Sequence, residues 1–180
     1  MSGVLPPFLG ATPADPAAMS PYSATLVEIA GTMCGTDPRK EIFRGLLAYR
    51  QALNGLGLRI GFQWLSGSFL EDIETLESRS PRDVDLVTFC HRPPGAQTDA
   101  DWDALQLANP PVFDPPQIKA AYRCDAYFVD LDIVPWAVVL HTRYWFGLFA
   151  HRRGGLWKGL LEIQLPVSND DNDAAAMVQP

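Results

Sequence analysis

Proline placement sets the tightest limit on how this chain can fold. Sixteen prolines in 180 residues are about twice the usual share of roughly 5%, and each fixes φ and removes a backbone donor. Helices and strands must be short pieces fitted between them. Five prolines fall in the first 21 residues, which predicts an irregular N-terminal arm over 1–38, with a short helix expected at 23–33 behind a Ser cap. Asp37-Pro38 then offers a cap and a first-turn proline for a second helix running to about Asn54. Its residues Ile42, Phe43, Leu46, Leu47 and Leu53 share one 3.6-period face, with Arg39, Lys40, Arg44 and Arg50 off it.

Beyond that helix the pattern alternates. A run rich in Ile, Phe, Trp and Leu predicts a strand at 58–65, ended by Ser66-Gly67-Ser68. A short helical turn is expected at 69–74, inside a charge-dense stretch that closes with Ser80-Pro81. Strands follow at 83–89 and 125–133, separated by helices at 99–107 and 117–123. A helix at 134–152, a Gly154-Gly155 turn and a last strand at 157–165 complete the reading. The alternation predicts an α/β (α+β) domain over 39–165, a small mixed sheet with helices packed on it. A hydrophobic fraction of 47% suffices for its core. The polar acidic segment 166–180 is expected to be a mobile tail.

Charge and cysteine narrow the function classes. The chain carries 14 Lys+Arg against 21 Asp+Glu, a net −7. Asp170, Asp171 and Asp173 account for three of those charges, leaving −7 + 3 = −4 on the body. A body of that sign is unsuited to coating nucleic acid. Cys34, Cys90 and Cys124 are odd in number and widely spaced, which predicts buried thiols in a reducing compartment. MSGVLPPFLG has neither the basic region nor the apolar run of a secretory signal. The stretch 133–150 is broken by His141 and Arg143 and falls short of the ~20 apolar residues of a membrane span. A cytoplasmic protein without membrane contact is expected.

The chemistry-bearing pattern is Gly67-Ser68, fourteen residues, then Asp83-Val84-Asp85. Side chains at i and i+2 of a strand leave one face, so Asp83 and Asp85 stand together while Val84 enters the core. Paired carboxylates attract divalent cations, which serve phosphoryl and nucleotidyl transfer. A Gly-Ser turn before a helix start lets backbone amides and a hydroxyl approach phosphate.

This order of strand, Gly-Ser, short helix, charged loop and Asp-hydrophobic-Asp resembles the DNA polymerase beta-like nucleotidyltransferase superfamily, and most of all its compact bacterial minimal nucleotidyltransferase branch. The segments RIGFQWLSGSF, CDAYFVD and YWFGLFAHRRGGLWKGLLEIQL are similar to a group of small bacterial proteins within that branch. The resemblance covers roughly 39–165. It implies that Gly67 and Ser68 hold phosphate and that Asp83 and Asp85 bind Mg²⁺ (or Mn²⁺). A third carboxylate on a later strand would complete the metal site and accept a proton from the acceptor. Asp125 is preferred because it opens the third strand, with Asp130 and Asp132 as alternatives, since strand parity leaves the inward face undecided. The implied activity is transfer of a nucleoside monophosphate from a nucleoside triphosphate to a hydroxyl of a protein, a tRNA end or a small molecule. A toxin–antitoxin or phage-defence setting goes with that branch. The other outcome is a catalytically inactive binding or regulatory subunit of the same fold.

Departures from the family pattern lie in the loop after Ser68, which is longer than usual and carries Glu71, Asp72, Glu74 and Glu77. Such a loop is unfavourable beside a triphosphate unless it bends away. Arg79 and Arg82 lie nearer the strand, and Arg82 is expected on the phosphates. Arg152, Arg153 and Lys158 form the densest basic patch, split by the glycine turn. Lys158 is the preferred phosphate ligand there. His91 is expected at a strand end, and His141 and His151 as packing or surface residues. Tyr144, Trp145, Phe146 and Phe149 are expected in the core rather than against a nucleobase. With little chain left for an acceptor domain, a protein partner or a homodimer is expected to complete the site.

Overall fold

The computed structural model describes residues 2–179. Five strands, β1 (Tyr22–Ser23), β2 (Gly61–Ser66), β3 (Val84–Cys90), β4 (Cys124–Asp130) and β5 (Leu161–Gln164), form one mixed sheet in the order β1-β5-β2-β3-β4. β3 pairs antiparallel with β2 and parallel with β4, β5 runs antiparallel to β2, and β1 lies parallel to β5. Eight helices surround it: α1 (Leu26–Met33), α2 (Asp37–Gly55), α3 (Ile73–Glu77), α4 (Asp99–Ala108), α5 (Pro110–Phe113), α6 (Pro115–Tyr122), α7 (Pro135–Phe149) and α8 (Asn169–Met177). The architecture is the expected α+β one.

Period-two alternation in the strands divides the interior into two cores. Val84, Leu86 and Cys90 of β3 point to the face covered by α2, where Ile42, Phe43, Leu46 and Leu53 are buried. Val87 and Phe89 point to the opposite face, where Trp145 and Phe149 of α7 pack on Trp64 and Val129. Phe146 is half-buried at that core, whereas Tyr144 is exposed. The outward side of α7 carries an apolar ridge of Trp136, Leu140, Tyr144 and Leu148. All three cysteines are buried free thiols. Among the described residues no helix is long and apolar enough to cross a membrane.

The expected mobile tail is a helix. Ser168 and Asp171 form a capping box at the start of α8. Asp170 accepts from the amides of Leu26 (2.6 Å) and Val27 (3.1 Å), capping α1 from a distant part of the chain. Asp171 is buried, its carboxylate accepting from Arg50 Nε at 2.7 Å and Nη2 at 3.2 Å. Arg50 also reaches Gln63 Oε1 and the carbonyls of Gln164 and Pro166. Amphipathic periodicity assigned Arg50 to the solvated side of α2, yet it is 1% exposed. Its long polar head ties α2, the sheet and α8 together, a role that apolar periodicity does not register.

The N-terminal arm is irregular but fastened. Gly3 O accepts from the Asp72 amide, Leu5 O from the Gly159 amide and Pro6 O from the Tyr22 hydroxyl, and β1 adds a strand to the sheet. A boundary at residue 38 therefore does not separate it from the domain. Three strands are shorter than expected, β2 because it starts only at Gly61. β4 stops at Asp130, whose carboxylate accepts from the Asp132 amide and turns the chain. The stretch before β5 bends instead, with Trp157 bridged to His151.

Removing one member of a buried ion pair strands the other charge. Asp171→Ala is expected to lower unfolding free energy by about 3–5 kcal/mol in urea denaturation. Truncation after Pro166 should do at least as much, because Arg50 and the α1 cap lose their partners together.

Candidate active site

The site begins with strand register. Ser66 pairs with Asp85 across β2 and β3, and Asp85 pairs with Asp125 across β3 and β4. Directly paired residues leave the same face, so the two carboxylates stand side by side at one end of the sheet. Asp83, two residues before Asp85, joins them, and Val84 between is fully buried. The Ser66 hydroxyl donates to Phe149 O at 3.0 Å, fixing the end of β2 against the end of α7.

Gly67 is shaped by Asp85. Its φ is +81°, and a Cβ there would lie 2.4 Å from Asp85 Oδ2 and 2.7 Å from Asp85 Cγ. Only glycine allows both the turn and the approach. Ser68 then opens a 3₁₀ turn to Leu70, and the loop that follows stays at the cavity, where Glu71 and Glu77 line it. Behind that loop lies a second buried arginine. Arg39 donates to Phe69 O (2.7 Å) and Glu71 O (2.6 Å) and pairs with both oxygens of Glu74 at 2.7 Å. Like Arg50, it was expected off the buried face of α2, and it holds the Gly67-Ser68 turn from beneath.

The acidic loop does not turn its charge on the cavity unopposed. Glu71 is buried and paired with Lys158 Nζ (2.6 Å) and Arg152 Nε (3.0 Å). Glu77 pairs with Arg79 and Arg152. Asp72 caps α3. Arg152, Arg153 and Lys158 arrive on the loop after α7, turned by Gly155, whose amide donates to Arg152 O at 2.8 Å.

These elements enclose a cavity of about 1220 Å³. Gly67, Ser68, Arg82, Asp83, Asp85, Asp125 and Lys158, the residues singled out from sequence, all line it, together with Arg79, Arg152 and Arg153. Asp130 and Asp132 do not. They sit at the other end of β4, where Asp130 pairs with Arg92 and Asp132 with His91, so of the three candidate third carboxylates only Asp125 meets Asp83 and Asp85. His151 is at the cavity margin. Sequence reading missed Lys119, which comes from α6 and sets its ammonium 2.8 Å from Asp83 Oδ2 and 3.1 Å from Asp125 Oδ2. No periodicity marks it, since the contact spans the junction between a helix and a strand.

Burial, followed by the charges of Asp83 and Asp125, pushes the Asp85 carboxyl up to about 6. The pairs with Asp83 and Asp125 hold the Lys119 ammonium well above its ordinary range. The donor set suits a hard divalent cation such as Mg²⁺ or Mn²⁺, being three carboxylates without thiol or imidazole ligands among them. Among the described residues no three His, Cys, Asp or Glu side chains form a ready-made metal cage. Asp83 and Asp125 each give an oxygen to Lys119 instead.

Fold and cavity together define an α+β domain with a carboxylate cluster facing a basic loop at one sheet end. The chain belongs to a family of unknown function (DUF6932), matched over residues 1–164. No curated protein and no solved structure matches it.

Because the folded protein raises the Asp85 pKa above its ordinary 3.8, it retains a proton that the unfolded chain has already released between about pH 4 and 6. The stability contributed by this group is therefore full below pH 4 and lost as pH rises through 6. Asp85→Asn, neutral throughout, is expected to be more stable than wild type at pH 7 in chelator-treated buffer by roughly 1–2 kcal/mol, after allowing for water at the cavity mouth. The advantage should vanish near pH 4 in paired thermal melts.

Proposed function

We propose that this chain is a small nucleotidyltransferase of the polymerase beta-like type, dependent on Mg²⁺ or Mn²⁺. The observation that carries the reading is the register row Ser66–Asp85–Asp125, which with Asp83 gathers three carboxylates beside the Gly67-Ser68 turn and a basic loop in one cavity.

In this reading Asp83, Asp85 and Asp125 hold the divalent cation. When bound, the metal supplies charge neutralisation at the triphosphate and polarisation of the reacting oxygens. The backbone and hydroxyl at Gly67-Ser68 donate to phosphate oxygens, and Arg82 and Arg153, for which no carboxylate partner is found among the described residues, approach the polyphosphate from the cavity rim. Lys158 and Arg152, already held by Glu71, contribute a fixed positive field rather than mobile arms. Asp125 faces the acceptor side and takes the proton of the acceptor hydroxyl. Most of the rate enhancement is positioning and charge neutralisation, so this short list of groups is sufficient.

The acceptor is a hydroxyl of a protein, a tRNA end or a small molecule. The cavity is wide, about 1220 Å³, and a partner protein or a second copy of the chain would finish the acceptor surface. The apolar ridge on α7 is the surface suited to such a contact. The resemblance that suggests this activity also suggests a cytoplasmic toxin–antitoxin or phage-defence setting. A second reading, an inactive regulatory subunit with the same fold, is favoured by one observation, the Lys119 ammonium lodged between Asp83 and Asp125.

Thermal shift with ATP, GTP, CTP and UTP separates the two. The enzyme reading expects at least one nucleotide to raise Tm only when Mg²⁺ is present, with the effect gone in Asp83→Ala/Asp85→Ala. Labelled nucleoside triphosphate incubated with the protein and host lysate should then label a protein or RNA. No nucleotide shift, or a shift indifferent to the double substitution, overturns the reading.

A further inference from the structure

Lys119 is the one cation in direct contact with the carboxylate cluster among the described residues, and its placement is built into the chain path. α6 ends at Tyr122, Arg123 takes a left-handed conformation (φ 55°), and β4 begins at once with Cys124. The last turn of α6 is thereby set directly beside the first residues of β4. Ile118, next to Lys119, is fully buried and anchors that turn in the core. The Lys119 side chain is 48% exposed and lines the cavity, and its ammonium bridges one carboxylate just before β3 and one in β4.

One positive charge against three carboxylates leaves a formal −2 at the cluster. Among the described residues Asp85 makes no ion pair, since Lys119 is shared by Asp83 and Asp125 alone. A divalent cation would neutralise the remainder, but it would have to bind the same two carboxylates, of each of which Lys119 now holds one oxygen. Two cations cannot share those oxygens at contact distance without strong repulsion.

We infer that Lys119 is a tethered counter-ion that holds Asp83 and Asp125 together in the metal-free protein, competes with the divalent cation for them, and on release pairs with the anion that accompanies the metal. The inference rests on the reading of these aspartates as metal ligands. It adds an order to binding: metal alone must displace an ion pair without replacing it, whereas metal with polyphosphate gives the freed ammonium a new partner. Metal and polyphosphate therefore bind cooperatively, and the coupling is reciprocal. Arg82 and Arg153 remain on the cavity rim in either state, so the change is confined to one side chain on a surface helix turn.

The test is Mn²⁺ binding, followed by titration calorimetry and by the electron paramagnetic resonance signal of free Mn²⁺, with and without tripolyphosphate. Wild type, Lys119→Gln, Lys119→Arg and Asp83→Asn are compared. Lys119→Gln is expected to bind Mn²⁺ alone about three- to tenfold more tightly than wild type, the range given by removing two half-exposed ion pairs. It should also lose most of the enhancement that tripolyphosphate produces in wild type. Lys119→Arg, which keeps the charge and the helix, should stay close to wild type, and Mn²⁺ should raise the Tm of Lys119→Gln more than that of wild type. Equal Mn²⁺ affinity in wild type and Lys119→Gln, with binding still abolished by Asp83→Asn, overturns the counter-ion role and leaves the metal site standing. Absence of Mn²⁺ binding in every variant, or binding indifferent to Asp83→Asn, overturns the metal reading and the inference together.

Discussion

Everything at this site follows from one constraint, the register in which β2, β3 and β4 pair. Because Ser66, Asp85 and Asp125 lie in one row, the sheet forces two carboxylates to neighbouring positions on one face, and Asp83 adds a third. Cross-strand like charges are destabilising, and the surrounding structure answers that repulsion. Lys119 bridges two of the three, Asp85 is shifted toward its neutral form, and the Arg152–Lys158 loop brings positive charge to the far wall. A sheet with ordinary side chains in that row would need none of these. The cluster is a cost to the fold, and such costs are concentrated at functional positions.

Two buried arginines on α2 keep this strained end in place. Arg39 grips the loop just after Gly67-Ser68 by two carbonyls and Glu74, while Arg50 joins Gln63, the end of β5 and Asp171 of α8. Each guanidinium is close to fully hydrogen-bonded, the condition under which a buried charge is tolerated. They lie along the same helix, roughly three turns apart, so α2 acts as a rail. One end positions the loop after Gly67-Ser68, and the other locks the C-terminal helix that caps α1. Planar, multiply donating guanidinium is the group for this work, since a lysine would satisfy fewer of these acceptors.

The sheet, its helices and most of the cavity lining were legible because their determinants are local. Val84 between Asp83 and Asp85 announces strand parity, and Gly67-Ser68 announces a turn that only a close approach would require. What escaped reading depends on contacts across the chain. Asp170 and Asp171 look like a solvated acidic tail until Leu26 and Arg50 are seen opposite them, and no apolar run marks α8 because its buried side is alanine, one valine and a carboxylate. Arg39 and Arg50 fall off the apolar stripe of α2, and a periodicity argument assigns any such residue to water. The choice among Asp125, Asp130 and Asp132 was open for a related reason: parity relates positions within β4, while the decision lies in which end of β4 meets the start of β3. Parallel pairing brings the two strand starts together, and that is a property of the α4–α6 crossover rather than of either strand.

Net charge also takes on a different meaning once the positions are known. Of the 21 acidic residues, Asp170 caps a helix, Asp171 neutralises a buried arginine, and three form the cluster at the sheet end. The acidic loop that stood against phosphate binding is spent on Arg39, Lys158, Arg152 and Arg79. Pairing in this way has a consequence for the cavity. The lysine and arginine held by Glu71 are fixed in position before any anion arrives, and preorganised charge in a restricted cavity acts on a ligand without the reorganisation that mobile side chains require. An overall acidic protein can thus present a locally basic wall to a polyanion while the opposite wall stays acidic enough to demand a cation beside it. On the proposed reading, the two walls together would favour an anion that travels with a divalent metal over either species alone.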